Sequence, residues 1–245
     1  MKAKLREYIL SLSAIDKHFM FLDSNHMPAA CNYQKYDWIA AWGAKALYEG
    51  DSFDDLYRFQ QEEKRWLFGY FTYDLKNTIE KLESNNFDGT GVEGMLFFEP
   101  RHLIYSMGNE IFYQEVKVDA ADLYTHLYSE YGEIIQVKQE QKPLNIQARI
   151  DKNMYLRNFE KLRQHIIDGD IYEINYCMEF YAEHAAIDPL QVWEKLNASS
   201  PTPYAVYMKN RDVYMMGASP ERFVCKNGDK LTAQPIKGTD RKSVV

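Results

Sequence analysis

The sequence has few cysteines and no long apolar segment. Its three cysteines, Cys31, Cys177 and Cys225, are an odd number and lie far apart, which excludes a disulfide framework and a CxxC metal site. No stretch approaches the roughly 20 apolar residues of a membrane span, and the charged N-terminus lacks the apolar run of a signal peptide. We therefore expect a soluble, cytoplasmic protein with no membrane partner.

Basic residues are also fewer than acidic residues. The chain has 29 Lys and Arg against 36 Asp and Glu, a net charge of -7. Nucleic-acid binding needs a basic face, so this balance argues against a nucleic-acid partner. An anionic substrate would need a locally positive pocket in this acidic protein.

The common catalytic and metal-binding motifs are absent. There is no GxSxG, P-loop or GxGxxG sequence, and the six histidines never reach metal-ligand spacing. No metal ligand is therefore assigned within this sequence.

Aromatic residues are abundant, with 19 Tyr and 13 Phe, which favours many strands. Strand candidates in the first half are 65–73, 95–98, 103–107 and 111–116, with helices predicted at 74–82 and 120–131. The polar segment 137–148 is the best boundary between regions. We divide the chain into an N-terminal region, 1–140, and a second region, 150–245.

The second region has clearer periodicity. An apolar stripe every three or four residues predicts a helix that Asp151 caps at its start and Gly169 at its end. Strict alternation predicts a strand over 171–181, whose polar face suits either a wet cavity or solvent. A helix follows Asp188-Pro189, and then an antiparallel meander from 204 to 236. This mixture of elements indicates an α+β fold.

The run Pro235-Ile236-Lys237-Gly238-Thr239 could carry chemistry. Gly lets the backbone turn sharply, Thr supplies a hydroxyl, and burial would favour the neutral, nucleophilic form of Lys237. A lysine exposed in a turn is the commoner origin of such a pattern, so the residues by themselves leave both readings open.

Several motifs in one order resemble the chorismate-utilising enzymes, which include anthranilate synthase component I, aminodeoxychorismate synthase component I, and isochorismate and salicylate synthases. The motifs in the second region are DGDIYE at 168–173, PYA at 203–205, ASPERF at 218–223 and PIKGT at 235–239. Upstream, FLDS at 21–24, YQKYD at 33–37 and the GYxxYD-like segment 68–74 resemble the family's N-terminal motifs. The resemblance implies a sandwich of two antiparallel sheets flanked by helices, here incomplete at the C-terminus.

Within the family, lysine at position 237 is typical of aminodeoxychorismate synthases, whereas anthranilate synthases have alanine there. The resemblance implies that Lys237 attacks C2 of chorismate and expels the C4 hydroxyl. Ammonia then attacks C4 and releases the lysine, which yields 4-amino-4-deoxychorismate. Glu221 matches the family's catalytic glutamate, an acid–base group, although it could instead pair structurally with Arg222 or Lys237. Gly238 and Thr239 match chorismate-contacting positions.

The resemblance also implies a tryptophan pocket, a cofactor and a partner. The positions that match the pocket are Ser24, Tyr33, Gln34, Lys35, Tyr36, Pro203, Tyr204 and Ala205. The cofactor is Mg²⁺, whose ligands we expect in the family's further chain beyond PIKGT, and the partner is a glutamine amidotransferase subunit that supplies ammonia. We expect these 245 residues alone to be inactive.

Three alternatives remain from the sequence. Anthranilate synthase component I is one, although Lys237 speaks against it, and an isochorismate-type synthase is another. The third is a non-enzymatic module that binds tryptophan or a partner protein.

Overall fold

The computed structural model describes residues 1–27, 35–61, 65–83, 85–92, 94–135 and 143–235. Its α-helices are α1 (Lys2–Ser11), α2 (Phe53–Gln61), α3 (Lys76–Ile79), α4 (Ala120–Tyr131), α5 (Lys152–Asp168) and α6 (Pro189–Ser199), with 3-10 turns at Leu12–Ala14 and Tyr73–Leu75. No helix in the described ranges is long and apolar enough to cross a membrane.

The strands are short except for two. They are β1 (His18–Asp23), β2 (Trp38–Gly50), β3 (Phe68–Phe71), β4 (Met95–Met107), β5 (Glu110–Tyr113), β6 (Val116–Val118), β7 (Gln147–Ala148), β8 (Phe180–Tyr181), β9 (Tyr204–Asn210), β10 (Val213–Ser219), β11 (Arg222–Asn227) and β12 (Lys230–Gln234). The expected α+β class, with antiparallel sheets and helices, is confirmed.

The chain forms two compact units, one of residues 1–136 with 189–245 and the other of residues 137–188. These units do not follow the sequence regions 1–140 and 150–245. The reason is that β9 pairs with β1 along its whole length, from His18↔Asn210 to Asp23↔Ala205. Residues from both sequence regions therefore build one sheet.

The first unit is centred on an eight-stranded sheet with the order β10-β9-β1-β2-β4-β5-β6, and β3 pairs with β4. Two strands share one edge of β4: β3 pairs with its first half and β5 with its second. The sequence predicted two strands here, 95–98 and 103–107, whereas the structure has one strand, Met95–Met107. Pro100 lies opposite Ala44, where the β2–β4 register shifts, and such irregularities accommodate proline in a sheet.

Both faces of this sheet carry buried apolar side chains. Along β1, Phe19 and Phe21 belong to one cluster and Met20 to the other, as the alternation of a strand dictates. The first cluster includes Leu5 of α1, Leu123 and Leu127 of α4, and Trp193 of α6. These helices therefore cover one face of the sheet.

Gly69 allows β3 to lie against β4. A Cβ atom at this position would be 1.8 Å from the carbonyl oxygen of Leu96 and 2.8 Å from the Cα of Phe97. No side chain fits there, so close packing of β3 against β4 explains the glycine in the GYxxYD-like segment.

The second unit contains α5 and the strand pair β7–β8. Asp151 accepts a hydrogen bond from Met154 N, and Gly169 ends the helix in the left-handed conformation, φ 82°, so both predicted caps are confirmed. The strand predicted over 171–181 is wrong for most of its length, since only Phe180–Tyr181 forms one. Alternation by itself does not make a strand, because the backbone also needs a partner, and here Gln147–Ala148 pairs with two residues only.

Candidate functional site

A cavity of about 790 Å³ lies in the first unit, between the end of β1, the start of β2, the start of β9 and the hairpin β11–β12. Its volume is in the range of small-molecule sites. Six predicted tryptophan-pocket residues line it: Ser24, Lys35, Tyr36, Pro203, Tyr204 and Ala205. Tyr33 and Gln34 lie outside the described residues. The structure thus brings two distant sequence motifs to one cavity, while the identity of the ligand stays a prediction.

The β1 end of the cavity is fixed by backbone and side-chain hydrogen bonds. Ser24 N donates to the carbonyl of Asp37 at 2.9 Å, and Asp37 N donates to the carbonyl of Ser106 at 2.8 Å. Ser24 itself is only 6% exposed. The two ends of the β1–β2 connection are therefore held side by side at the cavity wall.

Asn25 links this end of β1 to the segment that begins β9. Its backbone is in the left-handed region, φ 54°, which asparagine tolerates better than most residues. Its side-chain Nδ2 donates to Asn197 Oδ1 and to the carbonyl of Thr202, both at 2.8 Å. Since Ser24 precedes Asn25 and Pro203 follows Thr202, these bonds set the spacing of two lining segments.

Two carboxylates line the cavity, and both have fixed donors. Asp23 pairs with Arg6 at 2.5 Å and accepts a hydrogen bond from Asn25 N at 2.9 Å. Asp37 Oδ2 accepts from Ser106 Oγ at 2.8 Å and from Asn109 N at 3.1 Å.

Aromatic rings supply much of the apolar lining. The Tyr36 ring makes edge contacts with Tyr105, at 5.1 Å between centroids, and with Trp66, at 6.1 Å. Among the other lining residues, the Arg222 guanidinium lies over the Tyr204 ring, 5.2 Å from its centroid. Planar ligands with a charged group suit such surroundings.

Sequence reasoning missed the hairpin side of the cavity, which carries Arg222, Cys225, Lys226, Lys230 and Thr232. The turn between the strands was predicted, and the observed register pairs Cys225 with Thr232 and Asn227 with Lys230. A hairpin predicted with this register would have shown which hairpin residues are cross-strand neighbours. It would not have placed the hairpin beside Ser24 and Tyr36, because that contact depends on tertiary packing.

The predicted catalytic residues are elsewhere or outside the described residues. Glu221 lies in the turn between β10 and β11, where Ser219 Oγ accepts from its backbone N at 3.3 Å and donates to its carbonyl at 3.0 Å. It is not among the residues that line the cavity. Lys237, Gly238 and Thr239 lie outside the described residues, so the catalytic role of Glu221 with Lys237 stays a prediction.

The described residues contain no group of three or more His, Cys, Asp or Glu side chains that could hold a metal ion. The site of the expected Mg²⁺ stays a prediction, and we assign none of its chemistry to these residues.

The sequence pattern of one protein family, described as chorismate binding enzyme, matches residues 23–243. This chain belongs to that family. The chain is 25% identical over 200 residues to anthranilate synthase component 1 of Bacillus subtilis (strain 168). This match covers 71% of this chain and 39% of that protein. The chain is 23% identical over 191 residues to aminodeoxychorismate synthase component 1 of the same organism, over 70% of this chain and 39% of that protein.

Two solved structures share the fold of this family member. Anthranilate synthase component I from Streptococcus pneumoniae TIGR4 matches with a TM-score of 0.63 and 18% identity, over 82% of this chain and 54% of that one. The menaquinone-specific isochorismate synthase from Escherichia coli matches with a TM-score of 0.51 and 13% identity, over 88% and 47%. The chain thus spans about half the length of these relatives or less.

Proposed function

We propose that this chain is part of an aminodeoxychorismate synthase component I, which converts chorismate and ammonia to 4-amino-4-deoxychorismate for para-aminobenzoate and folate biosynthesis. Lys237 carries this proposal. It lies within the matched range 23–243, at the position where the resemblance puts alanine in anthranilate synthases. The relatives include proteins named aminodeoxychorismate synthase component 1, from Bacillus subtilis and Escherichia coli K12, alongside anthranilate synthases of similar identity, so the choice between the two rests on Lys237.

The proposed reaction has two displacements. The neutral amine of Lys237 forms a bond to C2, the ring double bond shifts, and the C4 hydroxyl leaves as water after Glu221 protonates it. Ammonia then bonds to C4, the double bond returns and the lysine amine departs. Two easier steps replace one difficult substitution, which is the usual gain of covalent catalysis. We propose that a glutamine amidotransferase subunit delivers the ammonia. When bound, Mg²⁺ would neutralise substrate carboxylate charge.

Mass spectrometry of the full-length protein tests the proposal. With chorismate, Mg²⁺ and ammonia, we expect a chorismate-derived adduct on Lys237. Lys237→Ala should abolish the adduct and 4-amination, with any residual turnover diverted to anthranilate. An unmodified Lys237 together with unchanged 4-amination by the variant would contradict it, and Lys161→Ala, an exposed lysine on α5, is the control.

A further inference from the structure

Glu221, the proposed acid–base residue, lies in the short link between two sheets. The strand β10 ends at Ser219 in the eight-stranded sheet, and β11 begins at Arg222 in the two-stranded sheet β11–β12. Pro220 and Glu221 connect them and belong to neither strand. A general acid has to lie within hydrogen-bond reach of the group that it protonates, so the direction of the Glu221 side chain depends on how this link is held.

The Ser219 hydroxyl holds Glu221 through two backbone hydrogen bonds. Its Oγ accepts from Glu221 N at 3.3 Å and donates to the Glu221 carbonyl at 3.0 Å. The N–H belongs to the planar peptide group before the Glu221 Cα, and the carbonyl belongs to the peptide group after it. One hydroxyl therefore restrains both soft backbone dihedral angles of Glu221, and these angles set the direction of its Cα–Cβ bond.

The residues before Glu221 make this arrangement stiff. Ser219 is the last paired residue of β10 and lies opposite Tyr204 of β9, so its backbone is fixed to the eight-stranded sheet. The ring of Pro220 fixes its φ at about −65° and leaves no N–H to compete for the hydroxyl. The Ser219 hydroxyl thus transmits the position of the sheet to Glu221.

The same hydroxyl contributes little to overall stability. Ser219 and Pro220 are exposed, and a hydrogen bond at an exposed position replaces one to water with a small net gain. Removing the hydroxyl should therefore leave the fold intact, and its loss should appear in the placement of Glu221.

We propose that Ser219 is a positioning residue for Glu221. Its hydroxyl directs the carboxyl group toward the substrate oxygen that Glu221 protonates, and does not itself touch the substrate. This role rests on the proposed acid–base function of Glu221.

Steady-state kinetics of chorismate consumption by the full-length protein, with Mg²⁺ and ammonia, test the proposal. We expect Ser219→Ala to lower kcat by a factor of about 10 to 100 and to leave KM within about twofold of the parent value, because a small misplacement acts on the chemical step. Ser219→Thr keeps the hydroxyl and should recover most of the rate. Ser199→Ala is the control, since Ser199 of α6 is also exposed and its Oγ also donates to a backbone carbonyl, that of Leu196 at 3.1 Å.

A double-mutant cycle with Glu221→Gln separates positioning from a purely structural role. If Ser219 acts through Glu221, Ser219→Ala should lower kcat no further in the Glu221→Gln background. Losses that multiply in the double variant, a Ser219→Thr variant as slow as Ser219→Ala, or a Ser219→Ala variant with the parent's kcat would each overturn the proposal.

The products distinguish a failure of this role from a failure of the proposed function. Anthranilate or isochorismate as the product of the parent protein would overturn the proposed 4-amination. The comparison of kcat values would still decide the role of Ser219, because it follows chorismate consumption. A parent protein without chorismate turnover, or normal turnover by Glu221→Gln, would overturn the acid–base function and the role of Ser219 together.

Discussion

The side-chain amides of Asn25 and Asn197 exchange hydrogen bonds in both directions, from Asn25 Nδ2 to Asn197 Oδ1 at 2.8 Å and from Asn197 Nδ2 to Asn25 Oδ1 at 2.9 Å. The pair connects the residue after Ser24 to α6. Together with the bond from Asn25 to Thr202, it fixes two lining segments of the cavity relative to each other.

Replacing Asn25 by Asp should therefore loosen the cavity. The carboxylate keeps the acceptor but loses the donor, and it faces the oxygens of Asn197 and Thr202. We expect the free energy of unfolding, measured by urea denaturation, to fall by about 1–3 kcal/mol. Asn109→Asp is the control, because Asn109 has a similar positive φ of 68° and its described hydrogen bonds are made by its backbone. Equal effects of the two substitutions would show that Asn25 has no special role.

Gly69→Ala should damage the β3–β4 pairing. The new methyl group would overlap the Leu96 carbonyl, a backbone atom that cannot rotate away, and overpacking of this kind costs about 1–3 kcal/mol or more. Urea denaturation should show a lower midpoint for this variant. In Gly217→Ala the nearest atom is a side-chain carbon of Val206 at 3.1 Å, so its effect should be smaller. The structural explanation of Gly69 fails if Gly69→Ala unfolds at the parent's urea concentration.

Much of this fold follows from local sequence signals. The helix predicted over 120–131 has these bounds in the structure, where Asp119 caps its start and Gly132 follows its end. The prediction of a strand over 171–181 was wrong because strand formation depends on a pairing partner that lies far away in sequence. Likewise, the motifs around Ser24 and Tyr204 identified part of one cavity. The sequence did not show that the charged residues of the β11–β12 hairpin line the same cavity, because only tertiary packing brings the hairpin there.

Glu221→Gln should lower turnover by a factor of roughly 10² to 10⁴, because it removes the proposed acid–base carboxyl group and keeps the side-chain shape. The contacts of Ser219 are to Glu221 backbone atoms, so the turn should persist. Chorismate amination by the full-length protein is the assay, with Asp212→Asn in the exposed β9–β10 turn as control. Normal turnover with reduced thermal stability would favour the structural ion-pair interpretation.

The stability of the first unit should fall as the pH is lowered through about 6.5. Burial lowers the pKa of His102, and nearby Arg101 and His126 act in the same direction, while Glu130 and Asp16 oppose it. The unfolded chain therefore binds a proton that the folded chain excludes, so the free energy of unfolding rises with pH, by at most about 1.4 kcal/mol per pH unit for one histidine. His18, whose pKa burial also lowers, has the same sign.

Denaturant unfolding between pH 5.5 and 7.5 measures this dependence. His102 is hydrogen-bonded to Tyr113 and Tyr131 at 3.0 and 2.9 Å, and His102→Gln keeps a polar side chain without the titration. We expect a flatter pH profile for this variant. A profile as steep as the parent's would mean that His102 does not contribute.

The pairing of β1 with β9 also has a consequence for folding during synthesis. Asn25 and Asn197 are 172 residues apart in the chain, so at about 5–20 residues per second a ribosome makes the second roughly 9–34 s after the first. During that interval β1 can pair with β2 but has no β9 on its other side. The cavity walls therefore come together late, and until then the β9 side of β1 is an unpaired strand edge of the kind that can pair with another chain.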